Sequence, residues 1–173
     1  SAVCVTGLIV VDTGSYWNMF GQTIIMILIE IGGLGFMSFT TLIAIILGKK
    51  ITLRERLILQ DAMNTFNIQG LVKMVKYVLV FTVSVQFFGA LLLSTQFIPE
   101  FGFGKGAFYS LFHSISAFCN AGFDVLGKGN SLISFNTNVV VIMVLSILII
   151  IGGLGFTVWS ELYTCKSIRR VSI

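Results

Sequence analysis

The feature that most constrains this chain is a set of apolar runs too long and too free of charge for a soluble core. Tyr16 to Leu47 carries a single acid, Glu30, over about 32 residues, which as helix would reach roughly 48 Å at 1.5 Å per residue. Leu71 to Phe97, with Lys73 and Lys76 near its start, and Asn138 to Thr164 are two more such runs. Each exceeds the roughly 20 residues needed to cross a 30 Å hydrocarbon core. Lipid offers backbone amides no partner, so spanning runs of this kind are expected to be helices. Charged residues make up 10% of the chain and hydrophobic ones 56%, against about 25% charged in soluble domains. The expected class is an all-α transmembrane protein.

The segments between these runs are equally informative. Gly106 to Phe118 is apolar and aromatic for about 13 residues, too short to cross. That length suits a half-helix that enters and turns back. Asp124 to Asn136 is polar and contains glycine, while Gly48 to Arg56 is basic, with Thr52 and Glu55 at capping-box spacing for a short surface helix ending near Gly70. Three spans place residues 49–76 and the C-terminus on one side. That side holds Lys49, Lys50, Arg54, Arg56, Lys73, Lys76, Lys166, Arg169 and Arg170, nine of the eleven basic residues, against Lys105 and Lys128 on the other. The positive-inside rule makes the nine cytoplasmic. Basic residues grouped at the ends of apolar runs, rather than in one stripe, exclude nucleic acid as the partner. Cys4, Cys119 and Cys165 have no metal-ligand spacing and an odd count, so they read as free thiols.

An internal repeat organises the chain. At an offset of 115, Ser1, Ala2, Cys4 and Gly7 match Ser116, Ala117, Cys119 and Gly122; at an offset of 120, Ile31-Gly32-Gly33-Leu34-Gly35-Phe36 recurs unchanged as Ile151-Gly152-Gly153-Leu154-Gly155-Phe156. Such a period exceeds the 20–50 residues of solenoids. The expected unit is a repeated module of potassium-channel type: helix, half-helix, filter loop, helix. A module that crosses twice keeps its orientation in the next copy, so modules can stand around an axis normal to the membrane. On this reading residues 1–48 end a first module, 49–70 are a cytoplasmic connector, 71–165 are a complete second module and 166–173 a cytoplasmic tail. Because the chain opens inside a motif that later recurs intact, it is expected to be a fragment, and both Ser-Ala-x-Cys segments face the exterior.

The turns after the half-helices, Val5-Thr6-Gly7-Leu8 and Asn120-Ala121-Gly122-Phe123, are where non-helical backbone should lie at membrane depth, tolerated only when it lines a cavity or is buried in protein. Glycine there lets consecutive carbonyls face an axis and replace an ion's hydration shell. An ordinary extracellular loop is the competing reading. Asp124, two residues past Gly122, and Asp12 are candidates for an acidic outer vestibule that concentrates cations; a carboxylate tied to loop backbone, or Asp124 paired with Lys128, is the plainer account. Gly32, Gly33 and Gly35, with Gly152, Gly153 and Gly155, read as close helix packing, with a hinge or constriction as the other possibility. Glu30 has Ile150 at its repeat position, which argues against a ring of acids and towards a local partner or a water-filled crevice. Glu161 reads as snorkelling at the cytoplasmic end. His113 beside Ser110, Ser114 and Ser116 invites a hydrolase reading, but no activating acid has matching spacing, and the serines suit hydroxyl bonds behind a filter. Cys4 and Cys119 are expected to pack behind the turns.

These residues resemble the Trk/Ktr/HKT superfamily of potassium transporters, whose single chain carries four such modules around one pore. Val5-Thr6-Gly7-Leu8 looks like a first filter and Ser116 to Asp124 like a second, and the Ile-Gly-Gly-Leu-Gly-Phe stretches match as well. The resemblance covers essentially the whole chain, with two further modules and the opening of the first absent. It implies a transporter rather than an enzyme, multi-pass in the cell membrane, with K+ as the transported ion at filter carbonyls, Na+ as a coupling or regulatory ion and no covalent cofactor. It implies that Gly7 and Gly122 govern potassium over sodium selectivity. It also implies a homodimer on a cytoplasmic ring of nucleotide-binding regulatory subunits, which residues 49–56 would contact unless they meet anionic lipid instead. A sodium-permeable relative, a membrane hydrolase and a structural subunit are the competing functions.

Overall fold

The structure is a computed structural model that describes residues 1–35, 71–127 and 131–154, and of residues 71–76 the backbone alone. Its described regular structure consists of helices: α1 (Thr13–Tyr16), α2 (Met19–Gly33), α3 (Leu71–Phe101), α4 (Phe103–Phe118), a 3-10 turn (Ser131–Phe135) and α5 (Val139–Gly153). The chain divides into two compact units, Ser1–Gly33 with Val83–Gly153, and Leu34–Thr82 with Leu154–Ile173. Every contact described below lies within the first. The connector at 49–70, the tail at 166–173, Lys128, Gly155, Glu161 and Cys165 lie outside the described residues.

Polar residues set the helix boundaries inside the apolar runs. The first run is not one helix from Tyr16: the Asn18 side chain accepts the Gly21 amide at 2.9 Å, and α2 starts at Met19. Asn138 starts α5 in the same way, its side chain accepting the amides of Val140 at 3.1 Å and Val141 at 3.3 Å. Each cap satisfies amides that a helix start leaves unpaired. Asn18 and Asn138 stand 120 residues apart, as do the ends of their two 15-residue helices. They are a further pair in the repeat. At its other end α2 stops at Gly33, and Gly35 has φ +78°, so the expected continuous helix to Leu47 is interrupted there.

The helix α3 is longer than its apolar run suggests, because Pro99 is accommodated in its last turn and the helix continues to Phe101. Gly102, at φ +79°, then makes the whole corner, and α4 begins at Phe103 rather than Gly106. Sixteen residues of α4 extend about 24 Å, still less than a hydrocarbon core. Among the described residues, Tyr77–Phe101 is the helix long and apolar enough to cross a membrane; Met19–Gly33 and Val139–Gly153 are shorter apolar helices.

The helix α4 is the centre of the first unit, packed on α5 and on α2. Its Phe112 and Ile115 form a buried cluster with Ile29 of α2 and with Ala121, Phe123 and Val125 of the segment that follows. Phe97 of α3, fully buried, closes the other side against Phe135 at 4.9 Å and His113 at 5.4 Å between ring centres. Outward faces are apolar too. Val83, Phe87, Phe88, Leu91 and Leu92 on α3, and Val140, Ile142, Met143, Ile147 and Ile150 on α5, are exposed. A soluble monomer rarely exposes apolar patches of that extent, whereas helices facing lipid require them.

Candidate functional site

Both glycine turns are built by one hydrogen-bond pattern. After α4, the Asn120 amide donates to the Ala117 carbonyl at 3.0 Å and the Ala121 amide to the Ser116 carbonyl at 2.8 Å. In the first copy, the Val5 amide donates to the Ala2 carbonyl at 3.1 Å and the Thr6 amide to the Ser1 carbonyl at 3.3 Å. This pair of bonds is the Schellman helix ending, which requires a left-handed residue. That residue is Asn120 at φ 57° and Val5 at φ 52°. Two residues later the backbone is left-handed again, at Gly122 with φ 71° and Gly7 with φ 67°. Two positive-φ positions thus recur at an offset of 115. Glycine suits these positions, because a side chain at such φ is strained.

The two turns also meet. A Cβ on Gly7 would stand 2.5 Å from the Ala121 carbonyl oxygen and 3.5 Å from the Gly122 Cα, so the first turn lies with its glycine against the backbone of the second. Around Gly122 itself there is nothing within 4 Å of such a Cβ. Along the second turn burial alternates: Ala121, Phe123 and Val125 are buried, Gly122 is exposed and Asp124 is half-buried. The Ser116 hydroxyl donates to the Phe123 carbonyl at 2.7 Å and fixes the end of this segment.

Close packing of the inner helices on the turns repeats as well. A Cβ on Gly32 would run into the carbonyl of Val3, and one on Gly152 into the carbonyl of Phe118. Val3 and Phe118 are repeat partners, as are Gly32 and Gly152. A Cβ on Gly33 would run into the Cys119 side chain, whereas one on Gly153 would stand an ordinary 3.8 Å from the Asn120 side-chain nitrogen. Gly32, Gly33 and Gly152 thus sit where a side chain would clash, Gly153 has room for one, and Gly35 lies past the helix end at φ +78°. Cys119 is partly buried behind its turn, but Cys4 is exposed, contrary to the expectation for both.

The acids divide. Asp12 caps α1, accepting the Gly14 amide at 3.0 Å and the Ser15 hydroxyl at 2.9 Å. Asp124 accepts the Leu126 amide at 3.3 Å and the Ser131 hydroxyl at 2.7 Å. Both carboxylates are therefore tied to their own loops. Glu30 has the local partner that its asymmetry in the repeat suggested: Gln86 of α3 donates to its Oε2 at 2.8 Å, and the Cys119 thiol approaches the same oxygen at 3.7 Å. Gln86 was invisible to sequence reasoning, since one amide in an apolar run carries no motif; only its depth in the run could have marked it.

The hydrolase reading fails on geometry. Ser110, Ser114 and Ser116 donate to the carbonyls of Gly106, Gln86 and Phe123, each at 2.7 Å, and His113 Nδ1 lies 2.8 Å from the Tyr109 carbonyl. No serine is paired with the imidazole among the described residues. The hydroxyls tie α4 to α3 and to the turn that follows it.

A helical protein with outward apolar faces and a long apolar helix, its two glycine turns in contact, is built as helical membrane proteins are. The family model described as TrkH, cation transport protein, matches residues 1–173, and the chain belongs to that family. It is similar to the potassium/sodium uptake protein NtpJ of Enterococcus hirae, 49% identical over 173 residues, which are 100% of this chain and 38% of that protein. The Ktr system potassium uptake protein B of Bacillus subtilis is 46% identical over the same 173 residues, again 38% of its length. Its namesake from Vibrio alginolyticus is 39% identical over 163 residues, 94% of this chain and 35% of that protein. The chain thus spans less than two-fifths of the length of these relatives. It is a membrane-embedded member of a family of cation transporters, not of enzymes.

Proposed function

We propose that this chain is part of a four-module pore subunit that takes up potassium through a carbonyl-lined filter, with Val5, Thr6, Gly7 and Leu8 as one filter segment and Asn120, Ala121, Gly122 and Phe123 as another. The observation that carries this reading is the duplicated turn: left-handed backbone at Val5 and Gly7, and at Asn120 and Gly122, on the same helix-ending hydrogen bonds. Left-handed residues two positions apart would turn carbonyls of the segment towards a common side, the arrangement by which a filter replaces an ion's water. Contact between Gly7 and the Ala121 carbonyl is what neighbouring modules around one axis would produce. The half-helix α4 points its C-terminus at its turn, adding a partial negative charge that favours a cation.

In this reading K+ is the cargo, the filter side is exterior, the basic segments are cytoplasmic, and Asp12 and Asp124 rim the outer vestibule. The subunit is multi-pass in the cell membrane, with the lipid bilayer and two further modules of its own chain as surroundings. Assembly as a homodimer on a cytoplasmic nucleotide-binding ring belongs to the same proposal. A sodium-permeable or sodium-coupled variant of this function is favoured by one observation, the potassium/sodium name of the Enterococcus relative.

The test is Gly122→Ser in the full-length transporter reconstituted in vesicles. Potassium flux should exceed sodium flux at least tenfold in the parent, and the substitution should bring the ratio down by about tenfold, or 1.4 kcal/mol. An unchanged ratio removes Gly122 from the filter.

A further inference from the structure

We infer that Glu30 is a positioning residue for the second filter turn, acting through Gln86 and Cys119; this rests on the filter reading above. Three elements meet at one carboxylate oxygen. Glu30 is on α2, which follows the first turn; Gln86 is on α3, which leads into the second half-helix; Cys119 caps α4 immediately before the left-handed Asn120. Gln86 donates to Glu30 Oε2 at 2.8 Å, Cys119 Sγ lies 3.7 Å from that same oxygen, and Gln86 Nε2 lies 4.0 Å from Cys119 Sγ.

The geometry is that of a latch rather than an isolated acid. Gln86 is buried, and it holds α4 twice: its side chain reaches Glu30 beside Cys119, and its backbone carbonyl accepts the Ser114 hydroxyl at 2.7 Å. Gly33, one turn from Glu30, has no side chain where Cys119 packs, so α2 comes close enough for the carboxylate to reach the thiol. A polar group at membrane depth is costly unless bonded, which gives each partner a strong preference for this arrangement. Movement of α2 is thereby coupled to Cys119 and through it to the backbone of Asn120 and Ala121. Ile150, the repeat counterpart of Glu30, has no polar atom in its side chain, so α5 cannot form such a latch from that position.

The experiment compares Glu30→Ala, Glu30→Gln and the exchange Glu30→Gln with Gln86→Glu in the full-length transporter, reading membrane abundance, the KM for potassium and the potassium-to-sodium uptake ratio. Glu30→Ala should lower the ratio at least fivefold and raise KM. Glu30→Gln, whose amide oxygen accepts the same hydrogen bonds, should recover most of the ratio, and the exchange, which keeps a donor and acceptor paired, should do likewise. A Glu30→Ala protein with reduced abundance but unchanged ratio and KM overturns the proposal. If Glu30→Ala does not accumulate, the exchange decides: a collapsed ratio there overturns the latch. Glu30→Gln as damaging as Glu30→Ala also overturns it, since charge rather than hydrogen bonding would then be at work. Gly122→Ser, run in parallel, separates the two levels: a silent Gly122→Ser sinks the filter reading, whereas a damaging Gly122→Ser with a silent Glu30→Ala sinks the latch alone.

Discussion

The two glycine turns have nearly the same backbone and very different surroundings. After Asn120, the chain buries Ala121, Phe123 and Val125 against α4 and α2, ties Phe123 to Ser116, and reaches α5 through the Asn120 amide, which donates to the Ile149 carbonyl at 3.4 Å. After Val5, Leu8 is 77% exposed and Ile9 and Val10 are exposed as well, while Ser1 bonds to Thr6 at 3.2 Å on the surface. The comparison separates what both turns share, the helix ending and two left-handed residues, from the buried side chains that follow the second. What the packing adds is rigidity of the segment beyond the turn.

That separation is tested most severely at Gly7. Alanine there adds strain at φ +67°, about 1–2 kcal/mol, and drives a methyl to 2.5 Å from the Ala121 carbonyl oxygen, a backbone atom of the other turn. Potassium uptake by the full-length transporter carrying Gly7→Ala should fall at least tenfold, measured in cells that depend on it for growth at low potassium. Normal uptake would show that contact between the turns has no part in function. Gly152→Ala comes next, since its methyl meets the carbonyl of Phe118, which is buried and cannot give way. It should destabilise by about 1–3 kcal/mol, as overpacking does, read as a lower thermal midpoint in detergent. The repeat-related Gly32→Ala meets the carbonyl of Val3, which is 48% exposed and can move. Its effect should be the smaller of the two; equal losses would mean that the first copy is as firmly held as the second.

Much of this was legible in the sequence, and the reasons are local. The repeat was visible because the second left-handed position of each turn, two residues past the helix ending, is a glycine, which leaves Gly7, Gly122 and the Ser-Ala-x-Cys lead-in as a readable signature. Apolar runs revealed helices but not their ends, because Asn18 and Asn138 are single polar residues whose capping role depends on geometry, and Pro99 in a final turn breaks nothing. The loop roles of Asp12 and Asp124 were foreseen as the plainer reading. Gln86 was not legible, because a hydrogen bond across 56 residues to Glu30 leaves no local trace.

Ser116→Ala distinguishes the copies through a hydroxyl. Ser116 is buried and its bond to the Phe123 carbonyl is one of the ties beyond the second turn, whereas Ser1 bonds at the surface. Losing a buried hydrogen bond costs about 1 kcal/mol, so Ser116→Ala should lower the thermal midpoint and reduce the potassium-to-sodium uptake ratio two- to threefold. Ser1→Ala should leave both alone. A loss at Ser1 equal to that at Ser116 would contradict the assignment of rigidity to the second copy.

The smallest effect is expected at the residue where the two copies differ most in chemistry. Left-handed backbone is uncommon for any side chain and least suited to a β-branched one, yet Val5 occupies it at φ 52°, while its counterpart Asn120, of a type that tolerates this region, occupies it at φ 57°. Val5→Asn should therefore relieve strain and stabilise by about 1 kcal/mol or less, a rise of about 1–2 °C in the thermal midpoint, with potassium uptake unchanged. The reverse change, Asn120→Val, adds strain and removes the bond to the Ile149 carbonyl, so it should lower stability by more than Val5→Asn raises it. Strained backbone that persists at a working site can be part of the mechanism. A Val5→Asn transporter that is more stable but slower at potassium uptake would place the strain at Val5 among the functional features of the first turn, and would make the chemical difference between the copies purposeful rather than incidental.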